Sequence, residues 1–347
     1  MSSRRWVFVI YVTEDLRLVH SWTSTRTRSS EDAKAAAEGC KDILGGEGLH
    51  FASSESDRVF LLTASHVARP PAVYQSRKRK GPSREKIVAL GHNAYAEALY
   101  RMMSTIGHEL LSIKTWKEEI ERLGPAVEGE DVDEVHSEVT RYWTTLNQRV
   151  IGYVVYAPAI SVDDCPKHFI RDWALIDLYR DKIDWDTFQG NKIYVGGKIS
   201  QSNFKYPPGG LLQVTGILKD DEIRKPQQLD ANGEKCLIVT KNGNTTGTTL
   251  GRLAGMESFV RRYSEYGIKK ISIEIAVYPY SNEDGAFSAP GDSGAIVVDS
   301  KGSIVGMLVA GAGTTEETDV TYLTPYWWIE EQIKKVFPKS FLYETVK

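Results

Sequence analysis

The feature that most constrains the fold of this chain is a Gly-Asp-Ser-Gly turn, Gly291 to Gly294, that leads directly into the apolar run Ala295–Val297. Glycine at 291 allows the backbone to approach another group closely, and the N–H groups of Gly291 and Ser293 can then point the same way. Two amide donors beside a serine hydroxyl are the arrangement that stabilises an oxyanion. The turn therefore predicts that Ser293 is a nucleophile displayed at the start of a β-strand.

A serine hydroxyl attacks only when a base accepts its proton, so the chain must also supply a histidine. Residues Val59–Val67 read as an apolar strand that enters a polar turn, with His66 at its end. The other six histidines do not follow an apolar strand in this way: His20, His50, His92, His108, His136 and His168. The sequence therefore predicts His66 as the base.

A carboxylate beside the histidine would fix the ring tautomer and stabilise the imidazolium. Asp172 stands immediately before the short apolar strand Trp173–Leu178, where its side chain could be buried against a ring nitrogen of His66. Asp177 lies within the same strand and is the alternative acid.

Three segments carry a family resemblance. Thr63–His66, Asp172–Leu175 and Gly291–Gly294 resemble the signature segments of the chymotrypsin/trypsin-like serine peptidases, in the order His, Asp, Ser. The resemblance implies Asp172 rather than Asp177 as the acid. Ala289–Gly294 and Lys241–Gly247 are more similar to the bacterial branch than to digestive trypsins.

The resemblance extends toward the carboxyl end. Thr324–Ile333 looks like the closing helix of the family. Arg149–Pro158 and Tyr322–Trp328 are also similar to a group of fungal trypsin-like proteins. The implied fold is mainly β, a chymotrypsin-like double six-stranded β-barrel with an inserted α-helical hairpin and a C-terminal helix.

Four units are expected along the chain. They are 1–68 with 150–185 as the first barrel and its N-terminal extension, 69–149 as an inserted basic loop and helical hairpin, 186–325 as the second barrel, and 326–347 as the C-terminal helix and tail. Strands of the second barrel are predicted at 211–217, 235–241, 245–252, 271–277, 295–298 and 303–309.

The resemblance also implies a substrate pocket. Phe287 stands where trypsin-like enzymes carry the residue at the pocket base, and Val309, Ala310 and Gly311 would form the opposite wall, with a backbone that pairs with the substrate as an added strand. An apolar or small side chain is therefore expected at the scissile position. Ala295 and Val309 depart from the family pattern, which usually has glycine and serine there. No segment is expected to supply a freed N-terminal amine to Asp292, so activation by such cleavage is not implied.

The segment between His66 and Asp172 contains a helical pattern. Apolar residues recur at three- and four-residue spacing over about 93–123 and 131–148, which predicts an antiparallel helical hairpin. Its apolar stripes either pack on each other and the barrel or form an arm for a homodimer or a partner protein. The preceding basic run, Arg77–Lys80, is expected to be a surface loop, with nuclear import and self-processing as alternatives.

Composition excludes several partners. The formal net charge of −3 gives no electrostatic reason to expect nucleic acid or an anionic membrane. The chain has only three cysteines, an odd number too small for the usual disulfide framework: Cys40, Cys165 and Cys236. The apolar run Trp6–Val12 is too short to span a membrane. The chain is therefore expected to be soluble and intracellular.

Two further patterns have simpler interpretations than the sites they suggest. Asp164, Cys165 and His168 could suggest a metal site, but no second ligand pair lies at useful spacing, so a surface turn is expected and no metal. The glycine-rich segment Lys241–Gly251 is interpreted as a hairpin beside the pocket rather than a phosphate loop.

The sequence as a whole predicts a serine endopeptidase that needs no cofactor. Ser293 attacks a peptide carbonyl, His66 transfers the proton, Asp172 orients the ring, and the amides of Gly291 and Ser293 form the oxyanion hole. The alternative is a latent or degenerate trypsin-like protein that acts as a binding or regulatory module.

Overall fold

A computed structural model describes a mainly β chain. The residues that it describes are 48–69, 85–88, 100, 144–163, 167–183, 185, 188, 190–196, 204–207, 210–230, 233–261, 271–281, 284–313 and 320–343. Outside these residues lie the apolar run Trp6–Val12, the basic run Arg77–Lys80 and nearly all of the predicted helical hairpin. At the end of that hairpin, residues 144–149 form bends and turns, so a helix reaching 148 was wrong.

The strands are, in chain order, β1 (Leu49–Ser53), β2 (Ser56–Thr63), β3 (Lys86–Val88), β4 (Val150–Tyr156), β5 (Ala174–Leu178), β6 (Lys192–Tyr194), β7 (Leu211–Gln213), β8 (Gly216–Ile217), β9 (Gln228–Leu229), β10 (Lys235–Gly243), β11 (Gly247–Leu253), β12 (Glu257–Arg261), β13 (Ile271–Pro279), β14 (Ile296–Asp299), β15 (Ser303–Ala312), β16 (Val320–Pro325) and β17 (Ser340–Leu342). The α-helices are α1 (Ser65–Ala68), α2 (Asp220–Arg224) and α3 (Tyr326–Val336), and a 3₁₀ turn covers Arg180–Lys182.

The first β-unit is a six-stranded antiparallel sheet in the order β17-β1-β2-β5-β4-β3. β1 and β2 form a hairpin, with Phe51 opposite Phe60. β2 is buried over its second half, which ends at Thr63, and its Phe60 and Leu62 side chains belong to the apolar core. His66 follows three residues after the end of this strand, in agreement with the predicted apolar strand before it.

The second β-unit is a closed barrel. The pairings run β10-β14-β15-β16-β13 and return through β11, which pairs with both β13 and β10. Its interior is filled by aliphatic side chains from all of these strands, Val239, Val277, Val297, Val305 and Leu323 among them. Closure removes the unpaired edges that an open sheet would expose.

A larger apolar cluster joins the two β-units. It contains Phe51 and Leu175 of the first sheet, Ile296 of the barrel, and Trp328 on α3. Burial of these side chains is the main favourable term that holds the units together. The predicted mainly β class, with a barrel and a C-terminal helix, is confirmed by the strand pairings and by α3.

Three details of the fold differ from the predictions. The strand expected over 211–217 is two short strands: β7 pairs with β6 in a separate two-stranded sheet, and β8 runs parallel to β15. β12 and β16 were not predicted. After α3 the chain returns as β17 to pair with β1, so the C-terminal segment completes the first sheet.

Cys236 is the cysteine that lies within the described residues, and its thiol is free and buried. Within the same residues, no helix is long and apolar enough to cross a membrane.

Candidate active site

His66 and Asp172 are brought together by the pairing of β2 with β5. Thr63 at the end of β2 lies opposite Ala174 at the start of β5. The residues just beyond these ends, His66 on the single-turn helix α1 and Asp172 in the loop before β5, therefore meet at the same edge of the sheet.

Both carboxylate oxygens of Asp172 form hydrogen bonds with His66. His66 Nδ1 lies 2.6 Å from Asp172 Oδ2, and the backbone N–H of His66 donates to Asp172 Oδ1 at 3.0 Å. The Asp172 side chain is 1% exposed, whereas that of His66 is 16% exposed. A buried carboxylate against Nδ1 selects the tautomer with the proton on that nitrogen, so Nε2 is the ring atom that can accept a proton.

The alternative acid, Asp177, has different neighbours. Its Oδ2 accepts from Arg58 Nη2 at 2.5 Å and from the Tyr153 hydroxyl at 2.6 Å. It lies opposite Phe60, three pairs further along β2 than the Thr63 end. The structure thus places Asp172, and not Asp177, against His66.

The other histidines within the described residues have separate environments. His50 is buried, its backbone bonds to the Asn191 side chain, and burial lowers its pKa to about 4. His168 has a positive φ of 55° and precedes the Asp172 loop. Asp164 and Cys165 lie outside the described residues, and no group of His, Cys, Asp and Glu that could hold a metal is found within them.

The Ser293 turn is fixed by a set of backbone hydrogen bonds. Asp292 N donates to Ala289 O and Ala295 N to Asp292 O, both at 3.0 Å, while Gly294 N donates to Leu308 O at 2.8 Å. Gly291 has φ of 104° and Gly294 has φ of 92°, which only glycine adopts readily. Within the described part of the chain, neither Gly291 N nor Ser293 N donates to a protein acceptor. Both amides are therefore available as oxyanion donors.

Gly294 places this turn against the end of β2. A Cβ built on Gly294 would lie 2.5 Å from Thr63 Oγ1 and 3.2 Å from Ala64 N. Thr63 and Ala64 are the residues that lead into α1 and His66. Ser293, partly exposed and adjacent to Gly294, is therefore at the same junction between the β-units as His66.

Asp292 has a partner that the sequence analysis missed. Its Oδ2 lies 3.0 Å from Lys241 Nζ, and both side chains are 0% exposed. The same carboxylate accepts from Thr245 N at 2.7 Å, from Thr246 Oγ1 at 2.7 Å and from Ala289 N at 3.1 Å. The β10–β11 hairpin thereby holds the turn that carries Ser293. A lysine inside an otherwise buried strand is the one sequence signal that could have revealed the pair.

The predicted pocket residues fall into two environments. The Phe287 side chain is fully buried in the interior of the second barrel, with its ring centroid 5.8 Å from Lys241 Nζ. A Cβ built on Gly251 would lie 2.8 Å from a carbon of this ring. Val309 and Ala310 are buried on β15, and Gly311 is exposed.

Two residues not named by the sequence analysis border Gly311. Ser288 Oγ and Thr321 Oγ1 are 2.6 Å apart and buried. A Cβ on Gly311 would lie 3.9 Å from Ser288 Oγ and 3.5 Å from Val320 O. The Ser288 hydroxyl therefore lies close to Gly311, where the pocket wall was expected, while Phe287 contributes to the barrel core.

Comparison with known proteins gives distant similarities. No family model matches the chain, and no curated protein matches it. Among solved structures, the chain is similar to Thermobifida fusca protease A (13% identity, TM-score 0.37, covering 86% of this chain and 90% of that one) and to a Nocardiopsis protease (12%, 0.38, 86% and 91%). It is also similar to a glutamic-acid-specific serine protease (10%, 0.39, 84% and 96%). Similarity at this level adds nothing about activity.

Proposed function

We propose that the chain is a serine endopeptidase that cleaves peptide bonds through an acyl-enzyme intermediate. The observation that carries the proposal is the hydrogen bond between the buried Asp172 carboxylate and His66 Nδ1. This pair lies at the junction where Gly294 packs against Thr63. A base with an oriented ring, and a serine in a turn with two unused amides at the same junction, are the groups that acyl transfer needs.

The proposed steps use these groups in turn. Ser293 Oγ attacks the substrate carbonyl and His66 Nε2 accepts its proton, while Asp172 stabilises the imidazolium. The negative charge that develops on the carbonyl oxygen is met by the N–H groups of Gly291 and Ser293. His66 then gives the proton to the leaving amine, and water attacks the acyl group by the same route. No step calls for a cofactor.

The substrate is proposed to be a protein or peptide. The expected preference for an apolar or small side chain at the scissile position is kept as a proposal that Phe287 does not support, because its side chain lies in the barrel core. The exposed end of β15 at Gly311 offers a backbone with which an extended peptide can pair. The intracellular setting and an association through 93–148 are also proposals, and that segment lies almost entirely outside the described residues.

The proposal is tested by intact mass measurement after exposure to a fluorophosphonate, a reagent that phosphonylates activated serines. One stoichiometric adduct is expected on the wild type, and none on Ser293→Ala or His66→Ala. Ser303→Ala, which removes a serine at the far end of the same barrel, is the matched control and should label like the wild type. A wild-type chain that takes no adduct would place the protein with latent, binding members instead.

A further inference from the structure

Glu274 is a fully buried carboxyl between the second barrel and the loop that carries Asp172. It lies on β13, opposite Ser258 of β12, and its residue is 1% exposed. Among the described residues, no lysine, arginine or histidine forms an ion pair with it. A buried acid without a cation is costly unless hydrogen bonds or protonation compensate.

The hydrogen bonds of Glu274 reach across the junction. Its Oε1 accepts from Ile170 N at 2.9 Å, and its Oε2 lies 3.0 Å from Thr324 Oγ1 on β16. The Ser272 hydroxyl, two residues away on the same strand, also acts to lower the pKa of Glu274. The neighbouring Ile273 N donates to His168 O at 2.9 Å, so β13 holds residues 168–170 at two points. Asp172 follows two residues later.

Glu274 and Asp172 also interact through charge. The pKa of Glu274 is raised to about 8, chiefly by burial; the hydrogen bonds from Ile170 and Thr324 lower it, and the Asp172 charge adds a smaller increase. Among the described residues, the groups that act on Glu274 are therefore the Asp172 carboxylate, the Thr324 and Ser272 hydroxyls and the Ile170 amide. The raised pKa favours the protonated form of Glu274 near neutral pH, which places no second negative charge beside Asp172.

We propose that Glu274 is a positioning residue for the reaction of Ser293 and His66: it fixes the chain ahead of Asp172, and its carboxyl group is coupled to the Asp172 carboxylate that acts on the ring. This inference rests on the proposed function. Glu274 contacts no reacting atom, and its effect passes through Ile170 and Asp172.

Two variants distinguish the effect of the hydrogen bonds of Glu274 from the effect of its ionisation. Glu274→Gln keeps an acceptor for Ile170 N and a partner for Thr324, whereas Glu274→Leu keeps neither. At pH 7 the Gln variant should retain fluorophosphonate labelling within a few-fold of the wild type. The Leu variant should lose on the order of tenfold or more, because small misplacements of catalytic groups are expensive. Peptide turnover by the Leu variant should fall in kcat more than KM should rise.

A pH titration of His66, followed by NMR, detects the coupling of Glu274 to the ring. A purely structural role of Glu274 would leave this titration curve unchanged. In protein with carbon-13-labelled histidine, the resonance lost in His66→Ala belongs to His66. In the wild type it should show an inflection near pH 8, where Glu274 ionises, and this inflection should be absent in Glu274→Gln. Asp299→Asn is the matched control: Asp299 is a buried acid that binds the amides of Lys301 and Ser303, so the inflection should remain.

Persistence of the inflection in Glu274→Gln, or wild-type labelling by a folded Glu274→Leu, would overturn the inference. The test is separable from the proposed function. If the wild type takes no label, the endopeptidase proposal fails, while the His66 titration still shows whether Glu274 is coupled to the ring.

Discussion

At the scale of single residues, the immediate partners decide which of two acids can act on His66. Asp172 and Asp177 lie five residues apart and are both buried. The Asp172 carboxylate forms hydrogen bonds with the ring and the backbone N–H of His66. The Asp177 carboxylate instead forms an ion pair with Arg58 and accepts a hydrogen bond from the Tyr153 hydroxyl. The same residue type thus has a proposed catalytic role at one position and a structural role at the other.

Asn substitution at the two acids should give opposite results. Asp172→Asn can present an N–H to Nδ1 and favour the wrong tautomer, so the rate of fluorophosphonate labelling should fall roughly a thousandfold or more. Asp177→Asn should label normally, but lose about 1–3 kcal/mol of unfolding free energy because Arg58 and Tyr153 lose a charged acceptor. Labelling rates and urea denaturation check both. Equal labelling by the two variants would contradict the assignment of Asp172.

Residues with a local chemical signature could be predicted from the sequence, and residues defined by distant neighbours could not. His66 and the Ser293 turn are recognisable because each follows or precedes an apolar strand in a short, specific context. Lys241 and Glu274 have no such context. Their roles depend on Asp292 and Ile170, which the fold brings close from far along the chain.

At the scale of elements, the β10–β11 hairpin is a support for the turn that carries Ser293. Lys241 on β10 and Thr245 and Thr246 between the strands together bind the Asp292 carboxylate. Gly243 is required as well, because a Cβ there would lie 2.5 Å from Asp292 Oδ1. The cation of this ion pair is the side chain of Lys241, which belongs to the same hairpin.

Lys241→Met should be strongly destabilising, because it leaves the Asp292 charge buried without its cation. Removal of one partner of a buried pair costs about 3–5 kcal/mol. Lys235→Met changes an exposed lysine on the same strand and should stay within about 0.5 kcal/mol. Chemical denaturation measures both, and a Lys241→Met variant as stable as Lys235→Met would show that the pair does not support the turn.

Gly294→Ala should push the two β-units apart at the proposed site. The new methyl group would clash with Thr63 Oγ1, and the residue would also be strained by its positive φ. Gly285→Ala isolates the strain, since φ is 71° there and nothing lies within 4 Å of the added Cβ. The control should cost about 1 kcal/mol, and Gly294→Ala should cost clearly more and slow labelling. Equal losses in the two variants would contradict the close packing of the turn on β2.

At the scale of the whole molecule, the proposed site is a property of the junction between two β-units. His66 and Asp172 come from the first, the Ser293 turn comes from the second, and Glu274 and Gly294 lie where they meet. α3 and β17 tie the units together further, because the chain leaves the barrel through α3 and returns to the first sheet beside β1. The family resemblance of the sequence implied the class and the C-terminal helix. It could not indicate β17, since three residues with a mixed pattern become a strand only beside a partner.

The buried Glu274 gives the whole molecule a pH-dependent stability. In the unfolded chain its pKa is near 4.5, whereas in the folded chain it is about 8. Between these values the folded state binds the extra proton, so the contribution of Glu274 is fully present below pH 4.5 and is lost as pH rises toward 8, by at most about 1.4 kcal/mol per pH unit. Glu274→Gln should remove this slope. Urea denaturation at several pH values checks it, and parallel curves for the two proteins would contradict the ionisation of a buried Glu274.

The proposed reaction requires Ser293, His66 and the amides of Gly291 and Ser293 to converge on one reacting carbon. A crystal structure of the fluorophosphonate-treated protein would reveal this convergence, because the phosphonyl group occupies the place of the tetrahedral intermediate. We expect phosphorus bonded to Ser293 Oγ, with an oxygen about 2.7–3.1 Å from the N atoms of Gly291 and Ser293 and with His66 Nε2 facing Oγ. An unmodified Ser293, or a phosphonyl oxygen directed away from both amides, would refute the proposed reaction.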